Sequence, residues 1–190
     1  MYVGRRAGFE IGKTVAILGL GPIGLLVLQV AKAKGATNII GSDIYPKRLE
    51  LASRLGATRI VGASKGNTVD AVMEFTEGKG ADIVIEAAGS TVTTQQAIRS
   101  ASKGRTVVLV GWVNEPEVPI DIQTIGVREL DVKGMFRYSN VYPEAINLLG
   151  SGRVDTASLI THSFPLAQVV DAFELASRRK DEVIKAVVEV

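Results

Sequence analysis

Residues 13–24 read Lys-Thr-Val-Ala-Ile-Leu-Gly-Leu-Gly-Pro-Ile-Gly, an apolar stretch follows, and residues 39–43 read Ile-Ile-Gly-Ser-Asp. The run Val15 to Leu18 predicts a strand, and Gly19-Leu20-Gly21-Pro22-Ile23-Gly24 predicts a Gly-x-Gly-x-x-Gly turn opening a helix. Gly19 and Gly21 allow a tight turn and close approach to a pyrophosphate, and Gly24 lets the helix lie against the sheet. Pro22 suits a first helical position, whose N–H has no partner in the helix. The free N–H groups and the positive helix end then face the phosphates. Asp43 ends a second strand near the spacing of roughly 20 residues at which a carboxylate accepts hydrogen bonds from the adenosine ribose. Strand, turn, helix, second strand and acid in that order predict a dinucleotide site.

A membrane helix is the competing reading, because the 18 residues between Lys13 and Lys32 are uncharged and mostly apolar. Three glycines and a proline in the first half of that stretch break a helix where a strand-to-helix turn needs breaking. Working outward, β-rich runs at 14–18, 38–42, 59–61, 82–86, 106–110 and 130–136 alternate with helical patterns at 22–34, 46–55, 67–77 and 91–102. Several of these helices point to glycine exits, at Gly35, Gly56, Gly78 and Gly104. The pattern predicts a doubly wound α/β fold of the Rossmann type, with a parallel six-stranded sheet and helices on both faces. Glu115-Pro116-Glu117-Val118-Pro119 predicts an exposed loop. After Gly150-Ser151-Gly152 the rhythm changes, and 159–164, a helix over 167–178 and a strand over 183–190 predict a C-terminal β-α-β extension. The expected domains are 1–150 for the nucleotide and 151–190 for the extension.

Composition narrows the chemistry. Among 190 residues, 22 basic and 20 acidic side chains leave a formal charge of +2 with no basic stripe, so nucleic acid is not an expected partner. Arg5 and Arg6 precede no unbroken apolar run with a cleavage site, so neither a signal peptide nor membrane attachment is expected and the cytoplasm is the expected compartment. Cysteine is absent and His162 is the one histidine, so no disulfide framework and no thiolate or multi-histidine zinc site can be built from this chain.

Ligands in an open parallel sheet bind beyond the carboxyl ends of the strands. Strand five ends at Val110-Gly111-Trp112, where the glycine permits close approach and the tryptophan lines a pocket, or the glycine turns the chain and the tryptophan packs. Strand six ends at Gly134-Met135-Phe136-Arg137-Tyr138, a polar cluster fit to orient a carboxamide and a hydroxylated substrate. Arg48 falls in the first turn of a helix, where the dipole disfavours a cation; it reads as a neighbour of a ligand anion or adenine, or as a solvated surface arginine. Asp43 favours NAD over NADP, since a carboxylate repels a 2′-phosphate. His162 lacks a neighbouring acid or nucleophile and reads as structural or interfacial. Glu86 reads as a strand exit whose backbone passes the cofactor and whose carboxylate has no evident partner.

These stretches also resemble the cofactor-binding half of the zinc-dependent medium-chain alcohol and polyol dehydrogenases, nearest the sorbitol dehydrogenases. The resemblance is carried by Arg5-Arg6-Ala7-Gly8 with Gly12, the 19–24 turn, residues 78–86, Gly134-Met135-Phe136-Arg137-Tyr138-Ser139-Asn140 with Tyr142-Pro143, and Leu159 to His162 with Phe164-Pro165-Leu166. It implies that Ile23, Asp43 and Arg48 hold the adenosine side of NAD. It also implies that Val110, Gly111, Trp112, Met135, Phe136 and Arg137 meet the nicotinamide half, and that Arg137 and Tyr138 reach a polyol or secondary alcohol. In that family a zinc ion polarises the substrate oxygen while hydride passes to the nicotinamide. The zinc ligands belong to an amino-terminal catalytic domain, so the resemblance implies an NAD-holding fragment with no catalytic residue or metal site of its own. It makes residues 155–190 a piece that completes the catalytic domain. The apolar strand 183–190 is expected to pack on itself, on the nucleotide domain or on another copy, favouring a homo-oligomer. Two other readings stand beside this one: an NAD-sensing or assembly module without catalysis, and an S-adenosylmethionine-dependent methyltransferase with a similar glycine turn.

Overall fold

A computed structural model describes residues 1–190. Strand β1 (Thr14–Leu18) is buried almost throughout, and its alternating side chains feed two cores. Val15 and Ile17 join Leu25, Leu28, Ile39, Leu51 and Ile85 on one face, while Ala16 and Leu18 join Ile40, Val72, Val84, Ile98 and Val107 on the other. A strand covered on both faces reads as a continuous apolar run, which is why residues 15–18 lack polar alternation. Around it lie β2 (Asn38–Asp43), β3 (Arg59–Gly62), β4 (Ala81–Glu86), β5 (Ala101–Leu109) and β6 (Asp131–Gly134), all parallel, in the order β3-β2-β1-β4-β5-β6. The chain therefore reverses direction across the sheet between β1 and β4, opening a crevice at their carboxyl ends.

The helices are α1 (Tyr2–Ala7), α2 (Pro22–Ala33), α3 (Pro46–Leu55), α4 (Thr68–Phe75), α5 (Thr91–Ser100), α6 (Ile122–Val127) and α7 (Tyr142–Gly150). Local signals start and stop them. Pro22 and Pro46 open α2 and α3, the Asn67 side chain caps α4, and Ser90 with Thr93 forms a reciprocal capping box on α5. Gly56 ends α3 at φ 110°, a conformation costly for any residue with a Cβ.

Several boundaries differ from the sequence expectation. The helix expected to run to 102 stops at Ser100, and β5 begins at Ala101, so Gly104 lies inside a strand at φ 68°. The register of β4 against β5 shifts between Ala81 and Ile83, and that irregularity absorbs the extra residues. The sixth strand, expected over 130–136, spans only Asp131–Gly134, because Arg137 turns the chain at φ 55°. Helices α1, α6 and α7 were not expected.

The C-terminal extension forms β7 (Ile160–Pro165), α8 (Val169–Arg178) and β8 (Lys185–Glu189), with β7 and β8 paired in parallel as a separate two-stranded sheet. The last strand thus packs within the extension and starts at 185, after the buried Val183 and Ile184. Leu159 and Ile184 enter the core that surrounds α2. Gln29 of α2 fixes the approach to this unit by exchanging two hydrogen bonds with the Asp155 backbone, of 3.0 and 2.6 Å. No helix of the chain is long and apolar enough to cross a membrane.

Candidate functional site: a crevice above β1, β2 and β4

The glycine turn sits where the sheet reverses. The Gly19 N–H donates to Ser42 O at 2.9 Å and the Ala87 N–H donates to Leu18 O at 2.7 Å, so the turn is stitched to the ends of β2 and β4. Gly19 has φ 97°, and a Cβ there would lie 2.5 Å from the Ala88 nitrogen. A side chain at Gly24 would collide with the Gly19 carbonyl. The three glycines therefore serve turn geometry, open approach and helix packing in sequence order. Gly21 is the N-cap of α2 and offers no side chain to its first-turn N–H groups, which leaves them for an anion.

Asp43 is 7% exposed. Its Oδ2 accepts the Leu20 N–H at 2.8 Å and its Oδ1 accepts the Tyr45 N–H at 2.9 Å. The carboxylate thereby ties the end of β2 to the glycine turn and keeps further lone pairs for a ligand hydroxyl. Arg48 is not a solvated surface arginine: its side chain is 17% exposed and Nη1 stands 3.5 Å from Asp43 Oδ2. The guanidinium carbon lies 4.6 Å from the Tyr45 ring centroid. These contacts outweigh a dipole penalty below about 1 kcal/mol, and Nε is buried without a partner. Gly19, Gly21, Asp43 and Arg48 line one cleft of about 340 Å³ with Ser42, Tyr45, Ala87, Ala88, Ser90 and Thr93, and residue 180 of the extension reaches it as well.

Glu86, without an evident partner in the sequence, has several here. It is 1% exposed at the end of β4, and its Oε1 accepts from the Ala88 N–H (3.0 Å), the Gly89 N–H (2.8 Å) and Thr93 Oγ1 (2.8 Å). Its backbone carbonyl accepts the Val110 and Gly111 N–H groups at 2.8 and 3.0 Å. Glu86 thus joins the cleft floor to the end of β5, and a Cβ on Gly111 would lie 2.5 Å from its Oε2. The Ser90–Thr93 spacing was the sequence signal that could have revealed this cluster.

The remaining expected residues gather elsewhere. Trp112 is 74% exposed, with its ring centroid 6.1 Å from that of Phe136. Ile23, Met135, Arg137 and Tyr138 line a separate apolar pocket of about 270 Å³ with residues of α1 and α7. Pro22 stays in the helix opening, and Val110 packs against the core edge. The Arg137 guanidinium lies 5.2 Å from the Phe136 centroid, and Tyr138 meets Tyr142 edge to face at 5.3 Å. The Tyr138 side chain beside it is the main cause that raises the Tyr142 phenol above its ordinary range. Arg6 donates to Gly134 O and Arg5 to Asn140 O, each at 3.0 Å, and Arg5 also pairs with Glu144, so α1 holds the loop after β6. His162 meets Thr161 Oγ1 at 3.0 Å and stacks near Phe164, with no acid beside it. No group of three or more His, Cys, Asp and Glu comes together to hold a metal ion, so the chain's residues do not fit a zinc centre.

A family model described as zinc-binding dehydrogenase matches residues 22–151. A sorbitol dehydrogenase of Bacillus subtilis is 37% identical over 188 residues, which is 99% of this chain and 53% of that protein. The crystal structure of an Escherichia coli oxidoreductase/dehydrogenase of unknown specificity superposes with a TM-score of 0.95 at 38% identity, covering 100% of this chain and 55% of the other. A zinc-binding dehydrogenase from Sinorhizobium meliloti bound to NADP (35% identity, TM-score 0.90, 97% of this chain and 55% of that one) is also similar. So is a short chain alcohol dehydrogenase from E. coli CFT073 complexed with NADH (29%, TM-score 0.90, 97% and 54%). The chain spans about half the length of each of these proteins.

Proposed function

The chain belongs to the zinc-binding dehydrogenase family, and from that premise we propose that its 190 residues bind NAD(H) for hydride transfer from a polyol or secondary alcohol. The observation that carries this reading is the meeting of the Gly19–Gly21 turn, the Asp43 carboxylate and the Arg48 guanidinium in one cleft at the sheet's reversal point. The uncapped N–H groups at the start of α2 receive the pyrophosphate. Asp43 accepts the ribose hydroxyls, and Arg48 covers the adenosine end with a buried N–H to spare. NAD supplies the hydride acceptor when bound.

A carboxylate beside the 2′-hydroxyl supports NAD over NADP through charge repulsion. The loop after β6 is the substrate side of the proposal, with Arg137 and Tyr138 offering a cation and a phenol above an apolar pocket. Trp112, Phe136 and Met135 stand nearest the nicotinamide. The Lewis acid of the family would be held by residues outside these 190, so the chain alone binds cofactor and does not turn over alcohol. Membership of a dehydrogenase family speaks against the adenosylmethionine reading of the same turn. Association between copies in the cytoplasm completes the proposal, since Val170 and Phe173 of α8 face outward.

Calorimetric titration with NAD⁺, NADP⁺ and S-adenosylmethionine tests the reading. Saturable binding of NAD⁺, at least about tenfold tighter than NADP⁺, is expected from one like-charge contact. Preference for S-adenosylmethionine, or no nucleotide binding, would overturn it.

A further inference from the structure

Arg48 is held from three directions. One terminal nitrogen, Nη1, faces Asp43 Oδ2, and the guanidinium lies over the Tyr45 ring. The other, Nη2, donates a 3.0 Å hydrogen bond to the backbone carbonyl of Lys180, 132 residues away in sequence. Lys180 follows α8 in the C-terminal unit and lines the same cleft as Gly19, Gly21 and Asp43. A Cβ on Gly21 would stand 3.9 Å from Arg48 Nη1, so the cation lies beside the turn that meets the pyrophosphate. The guanidinium presents Nη1 and Nη2 in one fixed plane and meets the carboxylate and the carbonyl in a set geometry, which the single ammonium nitrogen of a lysine on its flexible stem does not reproduce.

The two ends of the C-terminal unit attach differently. Its approach is fixed to α2 by the Gln29–Asp155 exchange and by Leu159 in the core, contacts that no ligand in the cleft would touch. Its far end is also held in that core by Ile184, and the turn just before it, in which the Glu182 and Val183 N–H groups donate to Arg179 O at 3.0 and 2.9 Å, meets the cleft through the Lys180 carbonyl.

We propose that residue 180 of the C-terminal unit is part of the nucleotide site: its carbonyl positions Arg48, and through that contact nucleotide binding and docking of the 179–183 turn strengthen one another. The inference rests on the nucleotide reading above and adds a coupling to it. Reciprocity follows from linkage, because a ligand that favours the docked turn is favoured by docking to the same degree.

The test is amide-resolved hydrogen exchange on the full chain with and without saturating NADH. The Glu182 and Val183 amides are expected to exchange about five- to tenfold more slowly with NADH bound, the lower range of ordinary coupling between sites. In R48K, which keeps the charge and loses the fork, NADH is expected to bind more weakly and, at saturation, to give no protection at 182 and 183. Protection of Leu20 to Gly24 without protection of 182 and 183 would overturn the coupling and leave nucleotide binding standing. Equal protection in R48K would overturn it too. If NADH protects neither region, the nucleotide reading fails and the coupling with it. Should R48K not fold, the wild-type comparison alone decides.

Discussion

Asp43 and Glu86 are both buried acids at strand ends, yet their oxygens are used differently. Asp43 shares its two oxygens between two backbone donors and an arginine. D43N keeps one acceptor and loses the charge, so it is expected to weaken NAD⁺ about tenfold and to narrow the gap to NADP⁺, as calorimetry would read. Glu86 places three donors on Oε1 and leaves Oε2 buried and unpartnered. In E86Q a single amide oxygen can take all three donors, and the expected loss in urea unfolding is below about 1 kcal/mol; E86A strands the donors and is expected to cost more than about 2 kcal/mol. Equal losses in the two variants would show that the hydrogen bonds are not what Glu86 contributes. The place of Asp43 beside the glycine turn was legible from its spacing to that turn. That of Glu86 was not, because its partners are mostly backbone N–H groups, which every sequence has and only a turn brings together.

At the scale of elements, β1, the turn and α2 were legible because each residue type there has one geometric use. G24A is expected to push α2 from β1 and cost about 1–3 kcal/mol in unfolding free energy, since the Cβ meets the Gly19 carbonyl, which is backbone and cannot swing aside. Helix α6 was missed because Ile122-Gln123-Thr124-Ile125-Gly126-Val127 is rich in β-branched residues and glycine. Its one signal is the Asp121 cap, whose carboxylate accepts the Thr124 N–H at 2.9 Å and is held below its ordinary range by that bond first. Asp155 caps the turn into the C-terminal unit in the same way: hydrogen bonds from Ser158, that of the hydroxyl first, hold its carboxyl below the usual range. Its contribution is therefore complete above the unfolded carboxylate pKa and is lost as pH falls through the lower folded value. Thermal melts of wild type and D155N are expected to differ at neutral pH and to converge in acid; parallel curves down to the lowest pH would contradict this.

The whole molecule is a six-stranded parallel sheet with a second, small parallel sheet docked on the α2 face. The larger sheet was legible from strand rhythm, and its order follows from the doubly wound pattern. The contact of Arg48 with Lys180 was not, because docking the second sheet, and nothing local, brings them together. The expected site is divided: Asp43 and Arg48 line the polar cleft, whereas Ile23, expected beside them, lines the separate apolar pocket with Met135, Arg137 and Tyr138. With no cluster of metal-ligating side chains, the unfolding midpoint is expected to be the same with EDTA as with added zinc, and no NADH should form from NAD⁺ and sorbitol. A zinc-dependent rise in the midpoint would place a metal site within these residues.

Whether the dinucleotide lies across the glycine turn and the end of β2 is read by amide chemical-shift mapping during an NAD⁺ titration. The largest shifts are expected at Leu20, Gly21, Ile23 and Gly24, at Asp43 to Tyr45, and at Ala87 to Gly89. Shifts confined to the apolar pocket around Val3, Val30 and Val141, or none as NAD⁺ rises into the millimolar range, would contradict it.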